Sequence, residues 1–115
     1  MIENVKIEQT FLGIEVHGIL TCYLTVEGKY FGVSVGGNAL DSYDEVKKER
    51  IPTQKGFELI DRILEVVGVS TWEDLPGKHI RIESDGLGSR VTKIGNIIKD
   101  DWLDFDTFFE EKTDE

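Results

Sequence analysis

Apolar residues alternate with polar ones at Leu20, Cys22, Leu24 and Val26, and again at Phe31, Val33 and Val35. A period of two marks a strand with one buried face, so the two runs predict a β-hairpin over residues 18–41. Glu27-Gly28-Lys29 supplies its turn, where Gly28 is free to take a positive φ. Gly36-Gly37-Asn38 ends the second strand with residues that turn easily. Upstream, Val5, Ile7 and Phe11 share one face against Lys6, Glu8 and Thr10, which predicts a first strand over residues 5–12 with Gln9 breaking the apolar row. Downstream, Ile80 and Ile82 oppose His79, Arg81 and Glu83, while Thr92, Ile94, Asn96 and Ile98 oppose Val91, Lys93 and Ile97. These runs predict a second hairpin over residues 79–84 and 90–98, with Gly95 as a candidate bulge.

Between the hairpins the period changes. Phe57, Ile60, Leu64 and Val67 recur at three and four residues, with Glu58, Asp61, Arg62 and Glu65 on the polar side, which predicts a helix over residues 53–67. Thr53 is its N-cap, Gly68 its left-handed C-terminal residue, and Val69 packs back. Gly56 costs about 1 kcal/mol relative to alanine in a helix and so implies a close approach to the sheet or to a ligand. Ser70-Thr71-Trp72-Glu73 has the form of a capping box with Ser70 as N-cap, and Trp72 is a candidate core plug. Residues 41–54 show no period and are expected as a surface loop with one helical turn at 43–48; Pro52 disfavours helix at Ile51. Residues 102–112 predict a short C-terminal helix capped by Asp104 or Asp106. Its Trp102, Leu103, Phe105, Phe108 and Phe109 must cover the sheet or meet another subunit. The sum is an α+β fold: an antiparallel sheet of about five strands, one main helix and a short C-terminal helix.

A chain of 115 residues makes one domain, residues 1–115, and buries roughly 65% of its unfolded surface. The single cysteine, Cys22, sits on an apolar strand face and reads as a buried thiol. The first residues lack the apolar run of a secretory signal, and no apolar stretch approaches the roughly 20 residues of a membrane span, so a reducing cytosolic setting is expected. Net charge is −10, but residues 100–115 alone carry −7 and residues 1–99 carry −3. That balance argues against duplex nucleic acid as a partner and leaves room for a small anion held by a few local cations.

No catalytic, metal or cofactor motif stands out. The two histidines, His17 and His79, lie in no metal-ligand spacing; His17, in the link between Gly13 and Gly18, is either a ligand-facing group or a solvated loop residue, and 85–89 has the glycines of a phosphate loop without its spacing. An enzyme is therefore not expected. The suggestive set is basic and aromatic: His79 and Arg81 on one strand face, Arg90 and Lys93 on the partner strand at different parity, and Tyr30, Phe31, Tyr43 and Trp102 for stacking. Arginine against phosphate with a ring against a base is the minimum chemistry of a nucleotide site. Balancing Glu83, Asp85 and the acidic tail is the competing role for those cations.

The strings FLGIEVHGILTCYLTVEG, FGVSVGGNALD, GFELIDRILEVVGVSTWEDLPGKHIRI and IGNIIKDDW, running from Phe11 to Trp102, resemble a small protein family encoded by tailed bacteriophages. The resemblance implies a phage accessory protein acting in the host cytoplasm and carries over no catalytic residue. The aromatic C-terminal segment and the edge of the first strand both invite a partner, so a homo-oligomer is expected. By analogy with the sponges that antagonise Thoeris and CBASS defence, the resemblance implies that it sequesters a nucleotide second messenger, cyclic nucleotide or cyclic ADP-ribose-like, without cleaving it. The alternative is an acidic inhibitor that meets a host defence complex as a nucleic-acid mimic.

Overall fold

A computed structural model describes residues 1–86 and 90–110. In chain order the elements are β1 (Ile2–Ile14), β2 (Leu20–Glu27), β3 (Gly32–Ala39), β4 (Asp41–Asp44), β5 (Glu49–Pro52), α1 (Gln54–Val67), a 3-10 turn (Trp72–Asp74), β6 (His79–Ser84), β7 (Val91–Asn96), β8 (Trp102–Asp104) and α2 (Phe105–Glu110). The protein is α+β, as the periodicities imply. Six strands form one antiparallel sheet in the order β3-β2-β1-β6-β7-β8, and β4 and β5 form a separate hairpin.

β1 joins the two predicted hairpins. Its first residues pair with β6, from Ile2 opposite Glu83 to Lys6 opposite His79, and the rest pairs with β2, from Lys6 opposite Glu27 to Ile14 opposite Leu20. The break in its apolar row is a β-bulge between Ile7 and Gln9. The extra residue flips the parity beyond it. Val5 and Ile7 point into the core, whereas Phe11 pairs with Tyr23 and stacks on its ring at 5.2 Å on the opposite face, contrary to the expectation that all three share a side. A second bulge, between Glu83 and Ser84 opposite β7, brings Val91 into the core beside Ile94; Gly95 is not the bulge. Gly95 is instead where the Trp102 ring lies, with a Cβ there falling 2.5 Å from the ring.

The helix bounds, the Thr53 cap and the Gly68 terminus stand as expected. Thr53 Oγ1 accepts from Gly56 N at 3.0 Å, and Gly68, at φ 89°, and Val69 both donate to Leu64 O. The buried face is another one. Gly56, Leu59, Ile63 and Val66 are buried, Ile60, Leu64 and Val67 flank them, and Phe57 is 75% exposed. Both stripes have helical spacing; the sheet selects the one containing Gly56, whose missing Cβ lets the helix rest on the Leu40 backbone.

Residues 41–54 are not a loop with a helical turn. Asp41 pairs with Pro52 and Asp44 with Glu49, and the connecting turn is held by Asp44, whose Oδ1 accepts from Val46 N and Lys47 N, with Lys48 at φ 59°. The Asp41–Arg50 ion pair at 2.8 Å ties the strands. Such short polar strands carry no apolar alternation to read. The expected capping box also differs: Thr71, not Ser70, precedes the 3-10 turn, and its side chain makes no capping bond. β3 runs through Gly36 and Gly37 to Ala39 rather than ending there, and Gly28 does not take a positive φ; the Phe31 ring occupies the space of a Cβ at Gly28. Residues 102–104 form an edge strand, and the C-terminal helix starts after it, capped by Asp104 through Asp106 N and Thr107 N.

One buried cluster unites both halves of the sheet with α1: Val5, Ile7, Leu24, Val26, Ile80, Ile82 and Ile94 meet Leu59, Ile63 and Val66. Phe105, just after one edge strand, lies near Gly36 on the opposite edge strand. The sheet is therefore coiled so that the segment after one edge reaches the other, and both helices pack against β7 and β8. Leu103 and Phe105 are buried in the same core and Phe108 and Phe109 pack against it, so this aromatic segment covers its own sheet.

Candidate functional site

The helix-free outer face of the sheet carries part of the basic set. Antiparallel partners share a face, so Lys6 sits beside His79, Asn4 beside Arg81, and Glu83 beside Lys93. Arg81 lies over the Trp102 ring at 4.7 Å and donates through Nε to Asn96 O and through Nη2 to Lys99 O, both at 2.8 Å. Lys93 faces Glu83 at 4.0 Å. The remaining residues lie elsewhere. Arg90 grips Asp106 at 2.8 Å beyond the sheet end, Tyr30 is 86% exposed at the β2–β3 turn beside Lys29, Phe31 packs against the core, and Tyr43 sits on the β4–β5 hairpin. His79, Arg81 and Lys93 thus share a face, but the rings of Tyr30, Phe31 and Tyr43 do not join them, and Arg90 and Lys93 each face an acid. The recesses at the β1–β2 hairpin end and beside Arg62 and Trp102 are not lined by His79, Arg81, Arg90 or Lys93. Of the glycine-rich turn expected over residues 85–89, residues 87–89 lie outside the described residues.

Among the described residues, Asp101, Asp104 and Asp106 near the C-terminus have structural roles. Asp101 is bound by Arg62, which also reaches Glu65 and the Trp102 carbonyl; Asp104 caps α2, and Asp106 holds Arg90. The Arg62 guanidinium holds the Asp101 carboxyl below the ordinary carboxylate range.

A recess does exist on the outer face, at the far end of the β1–β2 hairpin. It is a cavity of about 290 Å³ lined by Glu15, Ile19, Thr21, Tyr23, Gly37 and Ala39. Gly36 and Gly37, at φ 97° and 83°, shape one wall; the β2–β3 register shifts between Thr21 and Tyr23. Thr21 is buried and donates to Asn38 O at 2.8 Å, leaving the Tyr23 ring, backed by Phe11, as the apolar surface. Glu15 supplies the charge. One of its oxygens accepts from the backbone N–H of His17 at 2.7 Å and of Ile19 at 3.2 Å, and the other meets His17 Nδ1 at 3.0 Å. The His17 side chain beside it holds the Glu15 carboxyl below its ordinary range, with those backbone donors adding to the effect. Arg50 does not line the recess; it is anchored by Asp41, whose other oxygen accepts from Leu20 N at 3.0 Å, and the Glu15 charge adds a minor upward push to its pKa.

Chemically the recess offers a carboxylate acceptor and the Tyr23 side chain, with His17 bonded to that carboxylate. It suits a flat group rich in N–H donors, such as a nucleobase edge. Of this site the sequence marked only His17, between two glycines, as a possible ligand-facing group; Glu15 and Tyr23 belong to segments that only the β1–β2 hairpin and the β3 bulge bring together. Among the described residues no group of histidine, cysteine and acidic side chains could hold a metal ion, and no helix is long and apolar enough to cross a membrane.

These features define an α+β protein with a coiled antiparallel sheet and a small recess on its helix-free face. No protein-family model, no curated protein and no solved structure matches the chain.

Proposed function

We propose that this protein acts by holding a ligand rather than transforming one, and that the ligand is a small nucleotide whose base enters the recess between Tyr23 and Glu15. The observation that carries the reading is a recess lined by both the Glu15 carboxylate and the Tyr23 side chain. Glu15 would accept from the N–H edge of the base, Tyr23 would line its face, and His17 would meet the phosphate. In the phage setting implied by the resemblance, such a protein sequesters a nucleotide second messenger in the host cytoplasm. This moves the binding role from the cations of β6 and β7 to the hairpin end.

Calorimetry with a panel of cyclic nucleotides and cyclic ADP-ribose-type molecules tests it, followed by heating and recovery of the ligand. At least one member should bind and return intact, and Glu15→Gln, which keeps the turn's acceptor oxygen, should weaken it at least tenfold. Absence of binding across the panel, or a cleaved ligand, refutes the reading.

A further inference from the structure

A second feature of the same hairpin points to another copy of this chain. β6 leaves β1 at Lys6, and Ile7 still bonds to the segment before β6, its N–H donating to Lys78 O and its carbonyl accepting from Gly77 N. From Gln9 to Ile14, β1 is paired only with β2 among the described residues. Its other edge is open.

The parity of that edge follows from the ladder. Glu15 N donates to Ile19 O, closing the β1–β2 hairpin, so odd residues of this stretch bond toward β2. From the other side, Gly28 N donates to Phe31 O, which turns the even residues of β2 toward β3 and its odd residues toward β1. Thr10, Leu12 and Ile14 therefore direct their N–H and C=O groups outward. Natural edge strands are guarded by charge, proline or shortness. Residues 9–14, QTFLGI, carry none of these, and the exposed apolar side chains gather here: Leu12 at 44%, Ile14 at 70% and, in the turn, Val16 at 93%.

We propose that two copies pair antiparallel along this edge of β1, about a twofold axis through Leu12. Outward-bonding residues must face outward-bonding residues, so the pairing is even to even. Centred on Leu12, it sets Leu12 opposite Leu12 of the second copy and Thr10 opposite Ile14, satisfying all three outward residues on each strand. The flanking acids stay apart: Glu8 falls opposite Val16 and Glu15 opposite Gln9. The arrangement shifted by half a residue would set Glu8 against Glu15, and the hydrogen-bond parity forbids it. Leu12 and Ile14 of both copies then lie on one face as a single aliphatic patch, and Phe11 on the other face crosses Gly13 of the second copy. The match of the strand to itself, in bonds, charge and apolar side chains, is why the occupant is a second copy and not an unrelated peptide. The free edge of β3 is a poorer candidate, because Gly36 and Gly37 at positive φ break its line and Phe105 lies against Gly36.

Sedimentation across a concentration series and cysteine cross-linking test the pairing. Wild type should show a monomer–dimer equilibrium, and Leu12→Lys, which sets two ammonium groups across the axis, should shift it to monomer with unchanged circular dichroism. Residues exchanging both hydrogen bonds have Cα atoms about 5.5 Å apart, a separation that suits a disulfide. Leu12→Cys should therefore give a covalent dimer under mild oxidation, while Ile14→Cys, opposite Thr10, should not. Cys22 is buried and does not interfere. A wild type that stays monomeric throughout overturns the proposal, as does a dimer that Leu12→Lys leaves intact or cross-linking of Ile14→Cys as readily as Leu12→Cys.

Discussion

Replacing Gly56 by alanine sets two effects of opposite sign against each other. Helix propensity favours alanine by about 1 kcal/mol. Packing opposes it. A Cβ at position 56 would overlap the Leu40 carbonyl oxygen and stand 2.7 Å from Leu40 Cα and 2.8 Å from its carbonyl carbon. These are backbone atoms that cannot rotate away. Leu40 is itself buried, its N–H donates to Leu20 O at 2.8 Å, and its carbonyl accepts from Thr53 N and Thr53 Oγ1, both at 3.1 Å. Moving it disturbs the helix cap and the end of the sheet together. Overpacking of this kind costs about 1–3 kcal/mol, and a strained or lost hydrogen bond adds about 1 kcal/mol. The net expectation is a destabilisation of about 1–3 kcal/mol. With a urea slope of about 1–3 kcal/mol/M, the midpoint should fall by about 1 M. Equilibrium urea unfolding followed by tryptophan fluorescence measures it. A Gly56→Ala protein with the wild-type midpoint or a higher one would mean that α1 does not rest on Leu40, and the placement of the helix would be wrong.

Phe57→Ala should change stability by less than about 0.5 kcal/mol, because the ring is exposed, whereas Leu59→Ala should cost about 2–5 kcal/mol; the same unfolding assay separates them, and the reverse order would restore the other helix face. Gly95→Ala should displace the Trp102 ring and release Arg81 from it, seen as a shift in tryptophan emission together with a loss of about 1–3 kcal/mol. Burial pushes the Cys22 thiol up to about 12, so a thiol reagent at pH 8 should leave the native protein unmodified and label it on unfolding; rapid native labelling would contradict the buried position. Asp41 and Asp101 have carboxyls held below their ordinary range by Arg50 and Arg62. Their stabilising contribution is therefore full above the unfolded-state value of about 4 and fades as pH falls below it toward the lowered folded values, so Asp101→Asn should flatten the acid limb of a stability–pH curve between about pH 5 and 2.

The elements that could be read from the chain are those whose residues decide their state locally. The β2–β3 hairpin, the β6–β7 pair and α1 with its Thr53 cap and Gly68 terminus all follow from period, cap and turn chemistry. The β4–β5 hairpin was hidden, since Asp41, Asp44 and Arg50 hold it by side-chain bonds instead of apolar alternation. The balancing role read for the cations holds for two of them, since Lys93 faces Glu83 and Arg90 grips Asp106 of the acidic C-terminal segment. The Trp102 ring under Arg81 was not legible, because strand pairing across β6, β7 and β8 sets that contact.

Local sequence, then, determined which segments are strands and which is the main helix, because pleat and helix periods act over a few residues. Three-dimensional packing decided which face each presents. A single extra residue at the β1 bulge turned Phe11 outward to Tyr23, and the lack of one methyl at Gly56 chose Leu59 over Phe57 for the core. Both choices depend on contacts with chain segments distant in sequence, and so does the recess, whose walls are drawn from the β1–β2 connection, β2 and β3.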